Sequence, residues 1–395
     1  MSIGALTYAA PMRHVRPPVA PDFALLEEAT ALFEAGRVTG AIHKTLAHLF
    51  PGVAIPDLSR DPFQFVQGSS RVTVRIRGDE LLVTVPLVRL PTGGSAVAAL
   101  RYVLGTVATT GQLYQPRLRG DELHLEYTDA LARSHPTKLL EVLRTMPTEA
   151  DDRDDWIVGQ FGALPLDRAE IRRLAPEELA AASAFWRAHW TEVEALGKES
   201  QRKRSVFFLN DLTAYTIWRV RLVLPLCGYL GVRLREASNV FNDAEEDPGK
   251  RETALAKFAR EMREVSAADL EASLGHADYA LSPLAEGTPP AIVRYFGESD
   301  YMEKVEGLRT AGKSFEAAFS LATACTFLAG RYAWAPHVEQ ALDAALQHAA
   351  GKPWREAATS LFEETRALAD SFDDDEAKGD EAAAGAGEGA GENGR

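Results

Sequence analysis

Cysteine is almost missing from this chain. The two present in 395 residues, Cys227 and Cys325, stand far apart, each in an apolar, helical-looking setting. They read as buried, inert thiols, which fits a reducing cytoplasmic setting rather than a disulfide-built scaffold. Long apolar runs are missing too. The most apolar stretch, 212–232, is interrupted by Arg219, Arg221 and Pro225, so a buried helix with a kink or break is expected there and not a membrane span. The first 21 residues carry Arg13, His14 and Arg16 after a short, mild run and lack the apolar core of a secretory signal. Basic charge is in deficit, with 43 Lys and Arg against 57 Asp and Glu for a net charge of −14, which argues against a general nucleic-acid binder. No phosphate loop follows Gly93-Gly94 and no Gly-x-Ser-x-Gly elbow occurs, so no cofactor is expected.

What is present begins with a repeated string. Arg77-Gly78-Asp79-Glu80 and Arg119-Gly120-Asp121-Glu122 each have strand-like residues on both sides. With Gly-Asp as a two-residue hairpin turn, the first copy pairs Ile76 with Leu81, Val74 with Val83 and Val72 with Val85, an all-aliphatic face. The same register at the second copy pairs Leu118 with Leu123, Pro116 with Leu125 and Tyr114 with Tyr127. Slipping either hairpin by one residue would mix arginines into the aliphatic face, so the pattern itself selects the register. Arg71, Arg75, Arg77, Arg117 and Arg119 then share the opposite, polar face of one sheet. The bland expectation for them is a solvated face with local ion pairs. The functional one is that the face receives an acidic partner segment.

Around the hairpins, apolar residues recur at helical spacing over 22–49, broken at Gly36, and 63–66 opens the strands. A helix is expected over 95–110, capped by Ser95, with Val97, Leu100, Val103 or Leu104, and Val107 in its inward stripe. After the second hairpin His135-Pro136 opens another helix that Pro147 ends or interrupts, and 151–161 packs back as a final one. The order is helix, three strands, helix, two strands, helix. With Phe63-Gln64-Phe65 leading in, Leu100-Arg101-Tyr102-Val103-Leu104 in the middle helix and the ending Asp154-Asp155-Trp156 to Phe161-Gly162-Ala163, residues 22–165 resemble the YbjN-like and type III secretion chaperone-like superfamily. That resemblance implies a non-enzymatic α+β domain that holds client segments or serves as an interaction module, often as a homodimer.

After Pro165 strand signals disappear. Alanine-rich helical periodicity takes over, and a helical domain is expected over 176–372, with helices at 175–198, 206–232, 252–265, 267–276, 301–332, 336–350 and 353–372 and a loop at 283–290. The expected layout is a flexible lead-in (1–21), an α+β module (22–165), the helical domain and a disordered acidic tail (373–395). That tail holds eight acids against two bases and has no aromatic or large aliphatic residue.

Two acidic constellations invite an alternative. Asp151-Asp152-Arg153-Asp154-Asp155 matches a paired-aspartate box, and Asn242, Asp243, Glu246 and Asp247 resemble a second magnesium motif. The match breaks at Glu246 and Lys250, and solvated caps and loops account for both runs. The sequence therefore favours a protein-binding or chaperone-like role over a magnesium-dependent enzyme sited in the helical domain or a structural subunit of an assembly.

Overall fold

A computed structural model describes residues 4–13, 23–107, 111–243 and 245–387, with side chains up to residue 372. Helices α1 (Phe23–Glu34) and α2 (Val38–Leu49) precede strands β1 (Phe63–Gly68), β2 (Ser70–Arg77) and β3 (Glu80–Arg89). Helix α3 (Gly94–Thr106) then leads to β4 (Gln115–Arg119) and β5 (Glu122–Ala130), and α4 (Pro136–Phe161) closes the module. The element order is the one expected.

Both hairpins adopt the expected register. Val74 faces Val83, Ile76 faces Leu81 and Arg77 faces Glu80. In the second, Pro116 faces Leu125, Leu118 faces Leu123 and Arg119 faces Glu122. Gly78 (φ 63°) and Gly120 (φ 65°) take the first turn position, where a type II′ hairpin needs a positive φ. Val72, Val74, Ile76, Leu81, Val83 and Val85 are at most 8% exposed, and each such side chain contributes about 1.5–3 kcal/mol of burial. The hairpins join through an antiparallel β3·β5 pairing. Helix α4 covers the aliphatic face with Leu139, Val142, Leu143, Met146 and Ala150.

Three local expectations need correction. Helix α4 does not end at Pro147 but runs on to Phe161, because the proline ring is itself buried in the module's core. Ser95 does not cap α3, whose N-cap is Gly93, and the inward face is Ala99, Val103 and Val107, leaving Val97 and Leu104 about half exposed at 49% and 57%. Leu118, expected inside, is 51% exposed because β4 is the outermost strand and α4 does not reach over it.

The second region is mostly helical. It comprises α5 (Pro176–Lys203), α6 (Val206–Val223), α7 (Gly228–Phe241), α8 (Pro248–Arg263), α9 (Ala267–Ala272), α10 (Pro289–Phe296), α11 (Asp300–Thr310), α12 (Ser314–Arg331), α13 (Pro336–Ala349) and α14 (Trp354–Gly387). The expected break at Pro225 falls between α6 and α7. The 301–332 stretch is two helices, split by Gly312 at φ 72°, and α10 begins inside the expected 283–290 loop. Helix α6 is apolar nearly all round and lies beside α12, and together they divide two cores between them. Gly330 permits that approach, since a Cβ there would meet the Trp218 backbone at 3.1 Å. No helix among the described residues is long and apolar enough to cross a membrane. The side chains of the acidic tail, and all of 388–395, lie outside the described residues.

Four short strands complete the chain: β6 (Leu164–Pro165) and β7 (Asp278–Tyr279), both joined to the large sheet, and β8 (Ala285–Glu286), paired with β9 (Tyr332–Ala333). The large sheet runs β4-β5-β3-β2-β1-β7, so its last strand is donated by the helical region. Residues 4–13 are extended, as expected for a lead-in, but they are fixed in place: Leu6 is buried, Tyr8 donates to Asp343 at 2.9 Å, and Arg219 donates to the Thr7 carbonyl at 3.0 Å. The rest of the lead-in, 1–3 and 14–21, lies outside the described residues.

Candidate functional site

The five arginines selected from the hairpin pattern all lie on the outward face or rim of the sheet, but acids interleave with them. Arg119 pairs with Glu126, and Arg71 pairs with Asp167 at 3.5 Å. Arg89, which the sequence reading passed over, pairs with Glu122 at 2.7 Å. Arg75, Arg77 and Arg117 have no ion pair among the described residues, and Arg77 and Arg117 are exposed. Arg75 and Arg77 lie on β2, three strands in from β4; Arg117 lies on β4 itself, which pairs with β5 on one edge and with no strand among the described residues on the other. Leu113 and Leu118 are exposed at the ends of that strand.

The alternative magnesium positions form a surface turn between α7 and α8. Asn242 caps α7 and donates to Ser238, Asp243 accepts from the Glu245 N–H, and Asp247 caps α8 by accepting from the Lys250 N–H. Glu246 pairs with Lys250 at 2.9 Å. These are the helix-capping roles that short polar side chains perform at such positions. No group of three His, Cys, Asp or Glu residues suited to a metal occurs among the described residues.

The acid run 151–155 is not solvated. It sits on the α4 face that meets the helical region, where its acids share a small set of partners. Asp151 accepts from the Ser69 N–H at 2.6 Å and its hydroxyl at 2.8 Å. Asp154 accepts from Ser69 Oγ at 2.7 Å and Arg168 Nε at 2.8 Å, and Asp155 accepts from Arg168 at 2.5 Å. Asp152 pairs with Arg235 of α7. Burial, reinforced by Asp155 and opposed by Arg168, pushes the Asp154 carboxyl up to about 7. Asp151 is raised as well, chiefly by burial. Gly68, at φ 62°, leaves room for this arrangement, because a Cβ there would stand 2.2 Å from the Asp151 carboxylate.

Between this wall and the helical region lies a cleft of about 170 Å³. Arg13 enters it from the N-terminal segment, Arg221 from the end of α6, Cys227 and Arg235 from α7, and Tyr279 from β7. Burial pushes the Cys227 thiol up to about 12, the inert thiol expected. Sequence reading missed the cleft because its residues come from five separated segments, each unremarkable alone. The one available signal was the arginine pair inside the most apolar stretch of the chain.

The chain matches no known family model and no curated protein sequence. The reading therefore rests on this geometry.

Proposed function

We propose that the chain is a non-enzymatic protein-binding module whose sheet receives an extended acidic segment of a partner protein. The carrying observation is a sheet edge at β4 without a neighbouring strand among the described residues, which itself carries Arg117, exposed and with no ion pair among the described residues, and Arg119, shared only with Glu126. An added strand gains main-chain hydrogen bonds from the edge, and side chains alternating toward the arginine face supply register and charge selectivity. The exposed Leu113 and Leu118 offer apolar contacts at the two ends of the same strand. The resemblance of 22–165 to chaperone-like modules agrees with this reading. At the far edge the helical region lays β7 against Gln67 and Gly68 of β1, whereas β4 carries no strand on its outer side among the described residues.

The test is binding of a labelled peptide of alternating glutamate and valine, followed against salt. Affinity should fall as salt rises, and R117E/R119E should abolish binding without altering the circular dichroism spectrum. The chain lacking 373–395 separates an external partner from the chain's own acidic tail. Tighter peptide binding on deletion would make the tail a competitor for the same face. Salt-independent binding, or binding unchanged in R117E/R119E, would overturn the proposal.

A further inference from the structure

The cleft at the junction carries an imbalance of charge that its own residues leave unresolved. On the α4 wall each acid is answered: Asp152 by Arg235, Asp155 by Arg168 and Asp151 by Ser69. The N-terminus of α7 faces Asp155, whose Oδ2 would lie 3.5 Å from a Cβ at Gly228, so that dipole is answered too. The opposite lobe differs. Arg13 spends its donors on the Gly330 and Ala329 carbonyls, at 3.0 and 2.8 Å, and meets no carboxylate. Arg221 stacks over the Trp218 ring at 4.8 Å and has neither hydrogen bond nor ion pair among the described residues. Arg235 leaves its Nε without a partner. The Tyr279 hydroxyl, which lines the same space, has no hydrogen bond among the described residues.

Burial lowers both guanidinium groups; the charge of Arg221 adds to it at Arg13, against Glu339, and that of Arg331 adds to it at Arg221, against Tyr279. Two buried guanidinium groups that make no ion pair among the described residues are costly, and a bound anion reduces the cost. The cleft, of about 170 Å³, has room for a small oxyanion.

We propose that the Arg221 lobe of this cleft binds a small oxyanion, a phosphate or carboxylate group, with Arg221 as its main counter-charge, Arg13 beside it and Tyr279 Oη as a hydrogen-bond donor. The site is independent of the β4 edge. Because it is built from the N-terminal segment, α6, α7 and β7, occupancy ties the sheet module to the helical region.

Thermal unfolding of the full chain in inorganic phosphate, in acetate and in chloride at matched ionic strength tests this. Saturable stabilisation by phosphate or by acetate beyond chloride is expected, and the more effective of the two names the group. R221Q should weaken that response at least tenfold, and Y279F several-fold. R101Q, on the exposed face of α3, should leave it unchanged, and because peptide binding at β4 is read separately, failure here and failure of the sheet-edge reading are distinguishable. If R221Q does not fold, R13Q and Y279F carry the same comparison. Equal effects of all three anions on the wild type, or an undiminished response in both R221Q and Y279F, would overturn the proposal.

Discussion

Gln67 reaches from β1 to the backbone of Leu281, donating from Nε2 to its carbonyl at 3.0 Å and accepting its N–H on Oε1 at 2.9 Å. One side-chain amide thus extends the β1·β7 pairing, and with the Ala280 N–H bound to the Val66 carbonyl at 3.0 Å it seals the helical region to the sheet. Trp156 and Tyr229, with ring centres 5.6 Å apart, close the other side of the junction.

Replacing Gln67 with Ala strands both backbone groups of Leu281 in a largely buried place, at a cost of about 2–4 kcal/mol. Urea unfolding followed by tryptophan fluorescence and by circular dichroism should give one coincident transition in the wild type. In Q67A the transition should move to lower urea.

Arg168 is the one cation shared by Asp154 and Asp155. Arg168→Met leaves those carboxylates facing each other and should cost about 3–5 kcal/mol at neutral pH, whereas Asp154→Asn should cost far less. Equal losses in the two variants, measured by denaturant unfolding, would contradict this charge assignment.

Asp211 lies buried between α6 and α12 and accepts from Ser320 Oγ; burial pushes its carboxyl up to about 7. Between about pH 4 and pH 7 the native state holds a proton that the unfolded chain has released, so this group's contribution to stability falls as pH rises through that window and is constant above it. Asp211→Asn should therefore stabilise the chain at about pH 8 and lose that advantage near pH 4. A difference from wild type that does not vary with pH would contradict the assignment.

Two glycines of positive φ separate backbone strain from steric conflict. Gly78 has open space around it, so Gly78→Ala should cost only about 1 kcal/mol for the turn conformation. At Gly68 the same substitution also drives Asp151 off Ser69 and should cost clearly more in a thermal melt.

The hairpins were legible because a period of two with arginines on one face admits a single register, and the turn glycines mark its centre. The α3 stripe was misread because large side chains weigh most in a periodicity argument, whereas the helix turns its small Ala99 inward and leaves Val97 outside. The acid run 151–155 could not be read at all. Its burial depends on Ser69 and Arg168, which no spacing rule connects to it, and on a junction sealed by β7, a strand of two residues. The arginines were placed on the correct face, but Glu122 and Glu126, alternating into that face from β5, follow only once the two hairpins are known to be neighbours.

The central claim is that the β4 edge and its arginines bind an acidic strand. Fluorescence anisotropy of the glutamate–valine peptide, titrated with the wild type and with R117E/R119E at two salt concentrations, tests it most directly. The account predicts salt-sensitive binding to the wild type and none to the variant; identical, salt-insensitive curves for the two proteins would contradict it.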